Sequence, residues 1–481
     1  MLECTRSRTQ GVPDNLFTQT TTRDRTLSRS MGLLATSAIV AGIILGTSIF
    51  VQPAEISRLV PNVPAMMTVW LFAGLLTLCG AMTCAELVSA FPHTGGVYVF
   101  LREGVSPLAA FLWGWAMFWT MHSGIIGAIA VIVARYVGYF IPLGENAVKG
   151  VAIAAILLLS AINYLGVRQS SVLETVLTAA KVLAIVLIFA FVFATPAPNH
   201  PSPAPFRGPI LPSAGHFLLA LVAGLFAFGG WHMVTYTAGE TRHPERTIPR
   251  ALFIGTLAVT TCYLALNAAY LRVLPLRELI ASERVAADAA SALVGHRGGS
   301  IVSVLVILSG IGSLNGIILG GPRVYFAMAQ DRLAFDWLGA IHARYRTPYA
   351  SILAQGLWSS VLVATGTYRQ LFTRVVYTEW LFFALMTLGL FRLRARASYT
   401  PAFRVWGYPV IPSLFILACA TIVANQIAAD PSESAVGLSF VIAGLPVYYL
   451  WARMRTRAID ARSSAPVSRP DSKKGADNAG H

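Results

Sequence analysis

Charge is scarce in this sequence. Only 12% of its 481 residues are Asp, Glu, Lys or Arg, against roughly 25% in soluble domains. With 56% hydrophobic residues and a mean hydropathy of +0.64, that deficit excludes an ordinary water-soluble fold. Cysteine is scarce too. Cys79, Cys84, Cys262 and Cys419 fall in apolar segments and Cys4 lies in the N-terminal tail; their spacing suits neither a disulfide framework nor a metal site, so no metal is expected. There is no glycine-rich phosphate loop of the ATPase type, which argues against direct ATP drive; no cofactor is expected. The first 30 residues hold five arginines and three acids but no apolar core, so they do not read as a secretory signal peptide.

What is abundant is apolar sequence in runs of about 20 residues, the length that crosses a bilayer. Twelve candidate spans lie near 32–52, 64–90, 107–133, 148–166, 173–195, 214–238, 249–274, 300–329, 350–366, 371–393, 410–429 and 434–453. An even number puts both termini on one side. The loops on that side carry 25 of the 36 Lys and Arg residues and the opposite loops carry 10, with Lys181 inside the fifth span. The positive-inside rule then places both termini in the cytoplasm and the chain in the cytoplasmic membrane as a multi-pass protein. The net charge of +15 is this topology signal plus two basic tails, so lipid is the expected surroundings and nucleic acid is not an expected partner. Residues 1–30 and 458–481 read as disordered cytoplasmic tails, and 31–457 as one membrane domain.

Two spans are interrupted by glycine. Gly42-Ile43-Ile44-Leu45-Gly46-Thr47-Ser48-Ile49-Phe50 places two glycines and two hydroxyl residues within the first span, and Phe226-Ala227-Phe228-Gly229-Gly230-Trp231-His232 places a glycine pair within the sixth. Each glycine costs a helix interior about 1 kcal/mol relative to alanine. Backbone released from a helix at membrane depth survives only where it is buried in protein or lines a cavity. Paired breaks at corresponding places in two halves point to the substrate site of a secondary transporter. The Pro-rich run from Pro196 to Pro212 falls midway between them and reads as an external link between the halves. The scheme is all-α: spans 1–5 and 6–10 as an inverted 5+5 repeat with broken helices 1 and 6, and two C-terminal helices appended.

The residues around the breaks resemble the amino acid–polyamine–organocation superfamily, and within it the L-type amino acid transporter-like permeases, over nearly all of 30–455. The resemblance rests on Gly42 to Pro53, with Ser48 where glycine is usual; on Phe226 through the run Gly239-Glu240-Thr241-Arg242-His243-Pro244-Glu245-Arg246 to Ile248-Pro249-Arg250; on Gly312-Ser313-Leu314-Asn315-Gly316 with Pro322-Arg323-Val324-Tyr325; and on Phe403-Arg404-Val405-Trp406-Gly407-Tyr408-Pro409. It implies an L-amino acid permease, not an enzyme, in which unwound helices 1 and 6 hold the substrate. The substrate carboxylate would meet helix-1 amides and its ammonium the carbonyls of both helices. A transporter of polyamines or other organocations on the same fold is the alternative. A channel or a membrane-embedded enzyme is a remoter one, since neither a charged filter ring nor a convergent catalytic cluster is visible.

The expected substrate contacts are Gly42, Ile43, Gly46, Thr47 and Ser48 on helix 1, and Phe226, Phe228, Gly229, Gly230 and Trp231 on helix 6; close helix packing by the small residues and core packing by the aromatics are the plainer alternatives. Phe226 corresponds to the family's helix-6 aromatic gate. The expected coupling or gating residues are Lys181, His232, Glu379, Ser313 and Asn315. Charged side chains at this depth are costly and face protein or a cavity; Lys181 would be a fixed cation beside helix 1 or a proton carrier, and snorkelling is its alternative. His232 could titrate or donate to unwound backbone. Glu379 could favour a basic substrate, carry a proton, or pair with Arg374. Ser313 and Asn315 could bond helix 1 or Lys181, and Glu86 and Glu240 could bind loop arginines as an inner gate. Some L-type relatives join an accessory glycoprotein through a cysteine in the loop after span 3; here that loop, Arg135 to Lys149, has none, so no disulfide-linked subunit is expected. Exchange and proton symport both remain open.

Overall fold

The computed structural model describes residues 31–92, 95–165, 183, 185–192, 212–330, 336–345 and 347–463. Lys181, the link from Pro196 to residue 211 and the two tails up to 30 and from 464 lie outside them. All regular structure among the described residues is helical, apart from one isolated bridge between Met31 and Thr241.

In chain order the helices are α1 (Leu33–Ile44), α2 (Gln52–Leu59), α3 (Val63–Ala90), α4 (Val97–Gly104), α5 (Pro107–Val137), α6 (Glu145–Leu165), α7 (Ala214–Ala227), α8 (Pro244–Val273), α9 (Leu276–Ala281), α10 (Val285–Val294), α11 (His296–Gln330), α12 (Tyr349–Thr365), α13 (Tyr368–Arg394), α14 (Val410–Ala429) and α15 (Pro431–Ser463). α15 thus winds past the boundary at 457. Nine helices among the described residues are long and apolar enough to cross a membrane, and they coincide with nine of the twelve expected spans. The first expected span is the interrupted α1–α2 pair, the ninth is α12 with 17 residues, and the fifth lies mostly outside the described residues.

The helix starts follow from local chemistry. Asn62 accepts the Ala65 amide at the head of α3, Ser106 the Ala109 amide at α5, and Ser213 the His216 amide at α7. Each supplies an acceptor for an amide that has no partner inside its own helix. Thr367 and Gln370 close a reciprocal capping box on α13, and Arg392 and Arg394 sit at its C-terminal, negative end. Leu157, Leu158, Leu414, Leu417 and Ile442 are exposed on α6, α14 and α15. Such an apolar surface fits hydrocarbon and would be a liability in water.

α8 lies along α3 and α1, while α5, α6, α11 and α12 pack on one another. α13 meets α4, α5, α7 and α14. Within α5 a single π turn, Met117–Met121, loosens the ladder. Its carbonyls are taken up by side chains, Ser123 Oγ donating to Phe118 at 2.6 Å and Trp358 Nε1 to Trp119 at 2.9 Å.

Candidate functional site

The first interruption is short. α1 ends at Ile44, the Gly46 amide turns back onto the Ile44 carbonyl, and Gly46 is extended at φ −77°, ψ 176°. The chain then makes one 3₁₀ turn, Thr47–Phe50, before α2 begins with Pro53 in its first turn. Glycine lowers helix propensity, hydroxyl side chains compete for the backbone, and proline lacks a donor. The break therefore starts at Leu45, and Gly42 and Ile43, expected among the contacts, remain helical within α1.

The second interruption depends on one backbone angle. α7 ends at Ala227, the Gly229 amide donates to the Phe226 carbonyl at 3.1 Å, and Gly230 is left-handed at φ +88°. The chain resumes as a 3₁₀ stretch, Trp231–Glu240. A side chain at Gly230 would be strained, and a Cβ there would lie 2.7 Å from Ile43 Cγ2. Glycine is thus needed at 230 both for its angle and because helix 1 presses against it.

A single hydroxyl ties the two breaks together. Buried Tyr263 of α8 directs its Oη to the Ile44 carbonyl at 2.7 Å and to the Ala227 carbonyl at 3.0 Å. These are the last residues of α1 and α7, whose carbonyls have no intrahelical donor. One proton is therefore shared between two helix ends. Phe228 packs behind this joint, its ring 5.0 Å from Tyr263 and 6.4 Å from Trp70. It supports the break from the rear. Tyr263 was missed by sequence reasoning; a phenol at mid-depth in the seventh span, which also holds Tyr270, was the available signal.

Between the breaks the chemistry is bipolar. Thr47 and Ser48 are buried, and Thr47 Oγ1 has no hydrogen-bond partner among the described residues. Their amides head the 3₁₀ turn, a partly positive pole, while α1 and α7 end in partly negative poles. That pairing can hold an anion and an ammonium without a fixed ion.

On the far side of Gly230 the lining is aromatic. Buried Trp231 and His232 meet Phe383 of α13, at ring distances of 4.9 and 5.3 Å, and His232 stands edge-on to Trp113 of α5 at 5.7 Å. His232 Nδ1 has no partner among the described residues. Phe226, before the break, packs on Phe372 of α13 at 5.4 Å.

The remaining expected residues are scattered. Glu379 is buried on α13 at 6% exposure, and Arg374, its suggested partner, instead donates through Nε and Nη2 to one oxygen, Oε2, of Glu433 on α15. Glu433, in the first turn of α15, supplies the carboxylate that Arg374 binds, so the Glu379–Arg374 pairing is set aside. Asn315 of α11 accepts a bond from Asn163 of α6 at 2.7 Å, a partner outside the expected pair of helix 1 and Lys181. Ser313 Oγ has no partner among the described residues. Lys181 lies outside them.

Each end of the bundle carries a charged latch. At one end Arg58 donates to Glu55 at 2.7 Å and to the Ile280 and Ser282 carbonyls, and Arg135 approaches Glu55 to 3.9 Å while stacking on Tyr368. At the other, buried Glu86 of α3 takes both arms of Arg394 and the Val405 amide. The Glu86 partner is the last residue of a helix, where a loop arginine was expected.

An all-helical, polytopic membrane protein with two touching helix breaks defines the class. The chain matches the family model described as "Amino acid permease" over residues 31–450, and it belongs to that family, within the amino acid–polyamine–organocation superfamily. It is 31% identical over 432 residues to the serine/threonine exchanger SteT of Bacillus subtilis (strain 168), covering 89% of this chain and 98% of that protein. It is 30% identical over 437 residues to the human b(0,+)-type amino acid transporter 1, covering 89% of each, and 28% identical over 432 residues to the human cystine/glutamate transporter, covering 88% and 85%. The family and these relatives are transporters, not enzymes.

Proposed function

We propose that the protein is a secondary transporter that moves L-amino acids across the cytoplasmic membrane by alternating access, with exchange as its working cycle. The observation that carries this reading is the pair of breaks in α1 and α7, joined at their ends by Tyr263. A zwitterion lodges between them: its carboxylate on the Thr47 and Ser48 amides, its ammonium against helix-end carbonyls. Trp231 and Phe226 cover it from either side.

The membrane arrangement proposed is twelve spans, two inverted sets of five and two more, with both termini cytoplasmic. Under that topology Glu55, Arg58 and Arg135 form the outer latch and Glu86 with Arg394 the inner one, and one opens as the other closes. Lys181 serves as a fixed charge in this cycle. Exchange is favoured over symport by the likeness to a serine/threonine exchanger. The loop from Arg135 to Lys149 offers no cysteine, so the protein works without a disulfide-linked subunit.

The test is uptake of labelled amino acids into liposomes holding the purified full chain. Exchange predicts uptake that requires unlabelled amino acid inside and survives an uncoupler. Uptake that ignores the internal amino acid and collapses with the uncoupler would identify a proton symporter. No uptake of any amino acid by a folded, reconstituted protein would overturn the reading.

A further inference from the structure

The carboxylate of Glu379 has no part in either latch, and among the described residues it makes no ion pair or hydrogen bond. Its height in the membrane follows from its helix. On α13, Phe372, Val376, Glu379 and Phe383 recur at spacings of four, three and four residues, so they form one stripe down a single face. The ends of that stripe are anchored on the broken helix: Phe372 touches Phe226 before the break, and Phe383 touches Trp231 and His232 after it. At 1.5 Å per residue, Glu379 stands about 10 Å below Phe372 and about 6 Å above Phe383. The carboxylate is therefore on the face of α13 turned to helix 6, at the level of Gly229 and Gly230.

One turn further along the stripe, Phe383 sits in a cluster of rings. Trp113 meets Phe382 and Phe383 at 5.6 and 5.9 Å, Trp380 meets Phe383 at 6.3 Å and Phe415 at 5.4 Å, and Trp231 meets Phe383 at 4.9 Å. A substrate α-ammonium is already served by helix-end carbonyls. A buried carboxylate one turn from an aromatic cluster suits a different group: a flexible alkyl stem that packs on ring faces and ends in a cation. The same carboxylate without a counterion is a cost at this depth, and that cost disappears when such a cation arrives.

We infer that the substrate class includes amino acids with a cationic side chain, lysine, ornithine or arginine, and that Glu379 is the countercharge for that side chain. This rests on the amino acid transport reading above. It also separates this chain from a carrier selective for small hydroxyl amino acids.

The experiment uses the full chain in liposomes, with initial rates for labelled lysine, arginine and serine. The wild-type protein should carry lysine or arginine with a kcat/KM at least equal to that for serine. Glu379→Gln should lower the lysine-to-serine ratio of kcat/KM at least tenfold, and Glu379→Asp should restore part of it. Uptake of serine without lysine or arginine by the wild-type protein would overturn the inference and leave amino acid transport standing; uptake of neither would sink both. An unchanged ratio in Glu379→Gln, or a loss of pH dependence in serine uptake with no change in ratio, would also overturn it, the second by making Glu379 a proton carrier. Should the variant fail to fold, thermal stabilisation of the wild-type protein decides the matter: lysine must protect it at concentrations where norleucine, of similar length but uncharged, does not.

Discussion

The two helix breaks reach the same result by different means. In helix 1 the winding is lost through Gly46 in an extended conformation, and the released stretch is lined by Thr47 and Ser48. In helix 6 it is lost through Gly230 in the left-handed region, and the break is flanked by rings, Phe226 before it and Trp231 and His232 after it. The first break is polar and the second aromatic. Every amino acid has the same carboxylate and ammonium, which a polar backbone site can recognise once for all substrates; side chains differ, and rings on helix 6 and α13 are placed to sort them. Under the proposed function, helix 1 would carry common recognition and helix 6 selectivity.

Gly230→Val strikes hardest, because it breaks the joint that both sites share. Left-handed geometry costs a non-glycine residue about 1–2 kcal/mol, and the added carbons meet Ile43. Uptake of all substrates should fall by more than tenfold. Gly229→Ala, where only the Phe226 carbonyl is near, should fall far less. Equal losses at 229 and 230 would show that the angle at 230 does not matter.

Tyr263→Phe tests whether the breaks act as one unit. Removing the hydroxyl leaves the buried Ala227 carbonyl without its donor and the Ile44 carbonyl with the Gly46 amide alone, a cost of about 1–3 kcal/mol. A lower melting temperature in detergent and slower uptake of every substrate are expected. A change confined to one class of substrate would contradict a shared role.

Thr47→Val sharpens the comparison on the helix-1 side. It keeps the shape and removes a hydroxyl that has no protein partner, worth about 1 kcal/mol if substrate is its partner. KM should rise about fivefold, and by the same factor for small and large amino acids. On the helix-6 side Trp231→Leu should do the reverse, altering the ratio between large and small substrates more than the rate for any one of them. Competition curves against a single labelled amino acid measure both.

Much of this was legible in the sequence because membrane helices are simple to read. Apolar runs of bilayer length located nine spans that the fold forms as long helices, and glycines inside two spans marked the breaks. What stayed hidden depends on tertiary contact. No local rule tells that Gly42 and Ile43 would keep their helical turn while Leu45 would not, nor that Phe228 would turn away to support Tyr263. Arg374 sits five residues from Glu379 in sequence, yet Glu433, arriving from another helix, takes it. Tyr263 carried no motif. Only the fold reveals that its hydroxyl lies between two helix ends.

The most direct test of the central claim, that two opened stretches of main chain form one amino acid site, is a structure of the full chain with substrate bound, by electron cryo-microscopy. The account predicts density between Gly46–Ser48 and Phe228–Trp231, with the substrate carboxylate on the Thr47 and Ser48 amides. Density instead in the cavity of about 270 Å³ lined by Arg369, Arg374 and Asp430, with the space between the breaks empty, would contradict it.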